Sequence, residues 1–135
     1  MIRMSPSKKR QPSDTAGRYP RTKNSDDFGL ETFLKEIMDR FAVQIKEMLP
    51  SFREAIFSSG KDFLKDSRRD LERWAALLAA GSISQEEFEW LVQARVHLAE
   101  MESLLAAGLT LARIDELRMT LVRSITGAAF HLIGI

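Results

Sequence analysis

The sequence contains no cysteine, and it has only two histidines and one tyrosine among 135 residues. Without cysteine the chain can form neither a disulfide framework nor a thiolate metal site, so a small domain must be stabilised by packing alone. No stretch reaches the roughly eighteen apolar residues that a membrane-spanning helix requires. The segment 119–135 comes nearest, but Arg123 and His131 interrupt it. We therefore expect no transmembrane span.

The amino terminus is basic but lacks the apolar run of a secretory signal. Lys8, Lys9 and Arg10 are followed directly by Gln11 and Pro12. We expect no export through a cleaved signal, because such a signal needs an apolar segment after its basic residues. The predicted location is cytoplasmic, with association with a membrane surface as the alternative.

Charge is divided unevenly along the chain. Residues 1–27 hold seven basic and three acidic side chains, whereas residues 28–135 hold thirteen and sixteen. Residues 1–24 also contain three of the four prolines and few large apolar side chains, so ordering them would cost entropy with little burial in return. We predict a disordered basic tail over residues 1–24 and a single all-helical domain over residues 25–135. The tail suits weak contact with anionic lipid, and nonspecific contact at most with nucleic acid.

The remainder of the sequence has the apolar periodicity of helices, with large apolar residues at steps of three and four. Pro50 should end the first helix, because proline lacks an amide donor and restricts the residue before it. Gly60 is expected to bend the second. The pattern predicts four helices. The first begins at Ser25 to Asp27 and ends near Met48, and the second carries its apolar residues from Phe52 to Leu78. The third is capped by Ser84 and carries its apolar residues to Leu105, and the last starts near Thr110 and runs to Ile133. The expected fold is all-α, either roughly a four-helix bundle or an extended assembly of helical hairpins.

Two glycine-containing joints separate the later helices. Gly81 follows an apolar helix end, Ser84 can cap the next helix, and Glu87 lies at the spacing of a capping box. Gly108 likewise follows an apolar helix end, just before the last helix. The near-heptad spacing of the third helix predicts one packing face, formed by Phe88, Leu91, Ala94, Leu98, Met101 and Leu105.

Residues 71–99 join a leucine-rich helix, an Ala-Ala-Gly turn, Ile83, Ser84 and the run Glu86-Glu87-Phe88. This segment resembles the short helical SHOCT domain, in which a glycine turn followed by a similar motif connects two helices. The resemblance implies a helical hairpin that supports oligomerisation.

Few residues suit catalysis or metal binding. His97 and His131 are the only histidines, and neither lies in a catalytic or metal-ligand motif. His131, in an apolar segment, is more suggestive of a pH-sensitive interface group. We expect no enzyme activity, cofactor or bound metal. An enzyme with an atypical carboxylate site is a further hypothesis, and it would require a closed pocket that gathers several acids.

The carboxyl-terminal segment, from Met119 to Ile135, has more apolar residues than are needed to form a single buried face on the last helix. Exposed apolar surface of this kind favours an interface. We expect a non-enzymatic interaction or scaffolding protein that self-associates or docks a protein partner through its last helix. The alternative is a peripheral membrane protein that uses this segment and the basic arm. The predicted interaction residues are Leu121, Val122, Ile125, Phe130, Leu132 and Ile133.

Overall fold

A computed structural model describes residues 29–48, 50–99 and 101–135 of the chain. The predicted disorder of residues 1–24 and the predicted helix start at Ser25 to Asp27 lie outside these residues. The chain divides into two units, residues 1–33 and 34–135. Of the first unit, only Gly29 to Phe33 are described. All packing discussed below lies within the second unit.

The first helix, α1 (Leu30–Met48), ends where proline was expected to end it. A short 3-10 turn over Pro50–Phe52 follows, and α2 (Arg53–Asp66) begins directly after that turn. The predicted break at Pro50 is therefore confirmed. Proline fits the start of a turn because its fixed φ angle matches the turn and its missing amide is not needed there.

The second predicted helix is divided, and the division lies at Ser67 instead of Gly60. Ser67 is both the C-cap residue of α2 and the N-cap residue of α3 (Arg68–Ala79). Gly60 lies in the interior of α2, where an added Cβ would approach Cε2 of the Phe41 ring to 2.8 Å. The glycine thus permits close packing of α1 and α2, and α2 continues through this position to Asp66.

The joint between α3 and α4 (Gln85–Leu98) confirms the predicted chemistry. Gly81 has a φ of 76°, and the Ser82 amide donates to the Leu77 carbonyl at 2.8 Å. The Ser84 hydroxyl accepts from the Glu87 amide at 3.0 Å, and the Glu87 carboxylate accepts from the Ser84 amide at 2.8 Å. This reciprocal pair satisfies two amides that have no partner within the helix, and it fixes where α4 begins.

Replacing Ser84 by alanine is expected to lower the free energy of unfolding by about 1 kcal/mol, because the Glu87 amide loses its acceptor. Urea denaturation followed by circular dichroism measures the change. Ser82→Ala is the matched control, since the Ser82 side chain has no role in the capping box. Equal effects of the two substitutions would contradict the assignment of the cap.

The third predicted helix ends earlier than expected. It stops at Leu98, and a separate short helix, α5 (Glu102–Ala106), follows with Met101 at its start. The last helix, α6 (Leu111–Ile133), begins after Gly108, and the Thr110 hydroxyl accepts from the Arg113 amide at 3.2 Å. The break at Gly108 is confirmed.

The described part of the chain is all-α, as predicted. The closest association is between α4 and α6, and α3 packs on α4 through the short joint. Each helix contributes apolar side chains to one core. The buried residues include Ile37, Phe41, Ile45, Ile56, Phe63, Leu64, Leu71, Ala75, Leu78, Phe88, Val92, Val96, Leu104, Ile114, Leu117, Leu121, Val122 and Ile125.

Candidate interaction surface

Helix α4 has apolar residues on two opposite sides. On one side Phe88, Val92 and Val96, four residues apart, are fully buried. The Phe88 ring meets the Phe130 ring of α6, with ring centroids 6.1 Å apart. The spacing of four places these side chains on one face of the helix, and that face forms the contact with α6.

The opposite side of α4 carries a second apolar series at the same spacing. Trp90 and Leu98 expose 72% and 76% of their surface, and Ala94 between them is also exposed. We call Trp90, Ala94 and Leu98 the α4 stripe. Single exposed apolar residues are ordinary on protein surfaces. A tryptophan and a leucine aligned on one helix face are less so, because tryptophan is among the residues most enriched at the centres of protein interfaces.

Helices α6 and α3 pack on other sides of α4, and α6 runs antiparallel to it. Phe88 near the start of α4 meets Phe130 near the end of α6, and Arg118 donates to the Ala99 carbonyl at 3.2 Å beyond the other end of α4. On a neighbouring side, Arg95 forms an ion pair with Asp70 of α3, with 3.5 Å between Nε and Oδ2. The two flanking helices thus cover adjacent sides of α4 and leave the stripe to solvent.

No family model, curated protein or solved structure matches this chain.

The predicted packing face of the third helix was partly wrong. Phe88 and Met101 are buried as expected, but Ala94, Leu98 and Leu105 are exposed. The core face is instead completed by Val92 and Val96, which the predicted face omitted. Both sets of residues have helical spacing, so the periodicity alone did not determine which one faces α6.

The six predicted interaction residues of α6 fall into two groups. Leu121, Val122 and Ile125 are buried within the chain, with exposures of 0%, 1% and 0%. They cannot contact a partner while α6 keeps this position. The other three lie at the end of the helix and are half-buried: Phe130, Leu132 and Ile133. The interaction surface predicted on α6 depends on these three residues.

The two histidines occupy exposed positions on different helices. His131 of α6 lies 3.1 Å from Glu36 of α1, measured from Nδ1 to Oε2, and the same carboxylate receives a hydrogen bond from Arg40 at 2.9 Å. His97 lies on the solvent-facing side of α4, next to Leu98. Among the described residues, no group of three or more histidine or acidic side chains is arranged to hold a metal ion.

A polar cavity of about 360 Å³ lies between α2 and the end of α4. Asp62, Asp66 and Arg95 line it. The Arg95 guanidinium lies over the Phe63 ring, 5.8 Å from its centroid, in addition to its ion pair with Asp70. These contacts make the Arg95 side chain part of the packing between α2, α3 and α4.

None of the helices in the described ranges combines the length and the apolar character needed to cross a membrane.

Proposed function

We propose that this protein is a non-enzymatic helical interaction module that docks another helix against the α4 stripe. The observation that supports this function is the exposure of Trp90 and Leu98 on the side of α4 opposite its buried face. Covering this apolar surface would stabilise a complex by about 25 cal/mol for each Å² removed from water. A helix of a partner, with its own apolar stripe, has the shape to cover a straight row of this kind.

The surface is supported on a rigid base. The capping box fixes the start of α4, and Phe88, Val92 and Val96 anchor its other side in the core. The exposed stripe is therefore held in one orientation before a partner arrives. Such preorganisation favours binding, because less conformational entropy is lost when the complex forms.

The C-terminal surface is a weaker basis for function. Phe130, Leu132 and Ile133 are partly buried within the chain. The most exposed large apolar residue at this end is Ile135, with 56% of its surface exposed. A peripheral membrane protein would need a wider apolar face to enter the lipid interface. We therefore favour the α4 stripe over a membrane-surface role for α6.

Photo-crosslinking in cells tests the proposed function. A benzoylphenylalanine placed at Ala94, in the middle of the stripe, should give discrete covalent adducts with the docked partner. The same group at Ala112, an exposed alanine in the first turn of α6, is the matched control. Adding Leu98→Glu to the Ala94 probe should abolish the adducts, because a buried unpaired carboxylate opposes docking. Equal adduct formation from both positions, or none from Ala94, would contradict the proposal.

A further inference from the structure

The surface beside the α4 stripe is acidic at the end that carries Trp90. Glu86 and Glu87 come four and three residues before Trp90, and both are exposed. Residues three and four apart lie on the same side of a helix, so these two carboxylates belong to the Trp90 side of α4. The capping box holds Glu87 at this place. Any segment that covers Trp90 therefore meets two negative charges.

The other end of the stripe opens onto the polar cavity between α2 and the end of α4. Leu98 lines this cavity together with Asp62 and Asp66 of α2. The two aspartates are exposed, and neither forms an ion pair with any residue that the structure describes. Because they are four residues apart, their carboxylates lie on one side of α2. A segment that lies along the stripe and past Leu98 reaches both.

Few basic side chains balance these carboxylates. Arg95 lines the same cavity, but its guanidinium is already paired with Asp70, at 3.5 Å. The other basic residue of α4 is His97. A carboxylate that is covered without a cationic or hydrogen-bonding partner opposes binding. An occupant with acidic or purely apolar flanks is therefore disfavoured.

From this charge pattern we infer that the partner of the α4 stripe is a basic amphipathic helix of another protein. Its apolar residues, at steps of three and four, cover the stripe, and lysine or arginine side chains on its flanks pair with the carboxylates at both ends. A long basic side chain can lay its apolar stem against Leu98 and Phe63 while its charged head reaches Asp62 and Asp66. The inference rests on the proposed function, because it names the occupant of the same surface.

The complex is expected to be transient. Stable complexes usually bury about 800 Å² on each partner, and one helix face with the rim of a cavity provides less. Complementary charges contribute more to the choice of partner and to the rate of association than to affinity. Since the carboxylates are exposed, the dissociation constant Kd should rise with salt concentration.

Two model peptides test the charge of the occupant. One is a fluorescein-labelled helical peptide of leucine and lysine, with leucines at steps of three and four, and in the other glutamine replaces every lysine. Fluorescence anisotropy, with the purified full-length protein as titrant, gives the Kd of each. At low salt we expect the lysine peptide to bind about tenfold more tightly than the glutamine peptide, because several modest ion pairs add together.

The acidic end at the cavity is tested by Asp62→Asn combined with Asp66→Asn. This double variant should raise the Kd of the lysine peptide about fivefold to tenfold, since two ion pairs are lost. The matched control is Glu47→Gln with Glu72→Gln, which removes two exposed carboxylates outside the stripe and the cavity. Its Kd should stay within about twofold of the wild-type value. Trp90→Ala should weaken binding about tenfold or more, because it removes the aromatic centre of the surface.

The outcomes separate this inference from the proposed function. If the double aspartate variant binds the lysine peptide as tightly as the wild type, or the glutamine peptide binds as tightly as the lysine peptide, the basic partner is wrong. Weaker binding by Trp90→Ala would then still support docking on the stripe. If Trp90→Ala changes nothing, the peptide binds elsewhere and the inference fails.

Two further results would also overturn the basic partner. If neither peptide binds, the inference fails, and the photo-adducts at position 94 decide the proposed function alone. If the lysine peptide does not bind and light scattering shows a dimer that Trp90→Ala abolishes, the stripe is occupied by a second copy of the chain.

Discussion

Replacing Phe88 by alanine is expected to lower the free energy of unfolding by about 3–5 kcal/mol. Phe88 has no exposed surface, and its ring packs against Phe130 where α4 crosses the end of α6. Truncation would remove apolar contacts on both helices and leave a cavity that the surrounding core could close only partly. Urea denaturation at low protein concentration, followed by circular dichroism, gives the free energy of unfolding.

The matched control is Trp90→Ala, an aromatic truncation two residues further along the same helix. Because Trp90 is 72% exposed, its loss should change the stability of the monomer by no more than about 0.5 kcal/mol. A destabilisation equal to that of Phe88→Ala would show that α4 presents its other face to the core. The proposed stripe would then be part of the core, and the proposed docking surface would lose its basis.

Replacing Leu121 by alanine is expected to lower the free energy of unfolding by about 2–5 kcal/mol. This residue is fully buried near the middle of α6, although the sequence pattern predicted it as an interaction residue. Because Leu121 is part of the core, its truncation lowers the stability of the monomer itself, whether or not the protein associates. Thermal melts and urea titrations of the isolated protein measure the effect.

Leu132→Ala, near the end of the same helix, is the control for Leu121→Ala. Leu132 is only half-buried, so the loss of stability should be clearly smaller. The opposite result, with Leu121→Ala leaving the melting temperature unchanged but reducing association, would place Leu121 in an interface and contradict the described packing of α6.

Local chemistry allowed the sequence to predict several of the helix boundaries. Ser84 and Glu87 form the expected capping box, and Pro50 ends α1 through its own covalent structure. These features depend on residues within one turn of each other, so no knowledge of the tertiary structure is needed. The division at Ser67 had no such signal, because Ser67 makes no side-chain cap and lies in a run of charged residues.

The orientation of α4 could not be predicted in the same way. Its apolar residues occur nearly all around the helix, so both the row with Val92 and the row with Ala94 fit helical periodicity. The choice between them depends on where α6 and α3 lie, which is a property of the tertiary structure. The prediction on α6 failed to separate core from surface for a related reason: a wide apolar face on a helix is equally compatible with extensive burial and with an interface.

The close approach of Gly60 to the Phe41 ring determines more than the distance between α1 and α2. Phe41 is almost fully buried, so its ring has little room to move aside, and the position opposite it must have no side chain. A screw shift of α2 by one residue, about 1.5 Å along its axis and about 100° around it, would bring Ser59 or Lys61 against the ring. The longitudinal alignment of the two helices is therefore selected by side-chain size at one position. Gly60→Ala would test this alignment through altered Phe41 ring chemical shifts, even in molecules that remain fully folded.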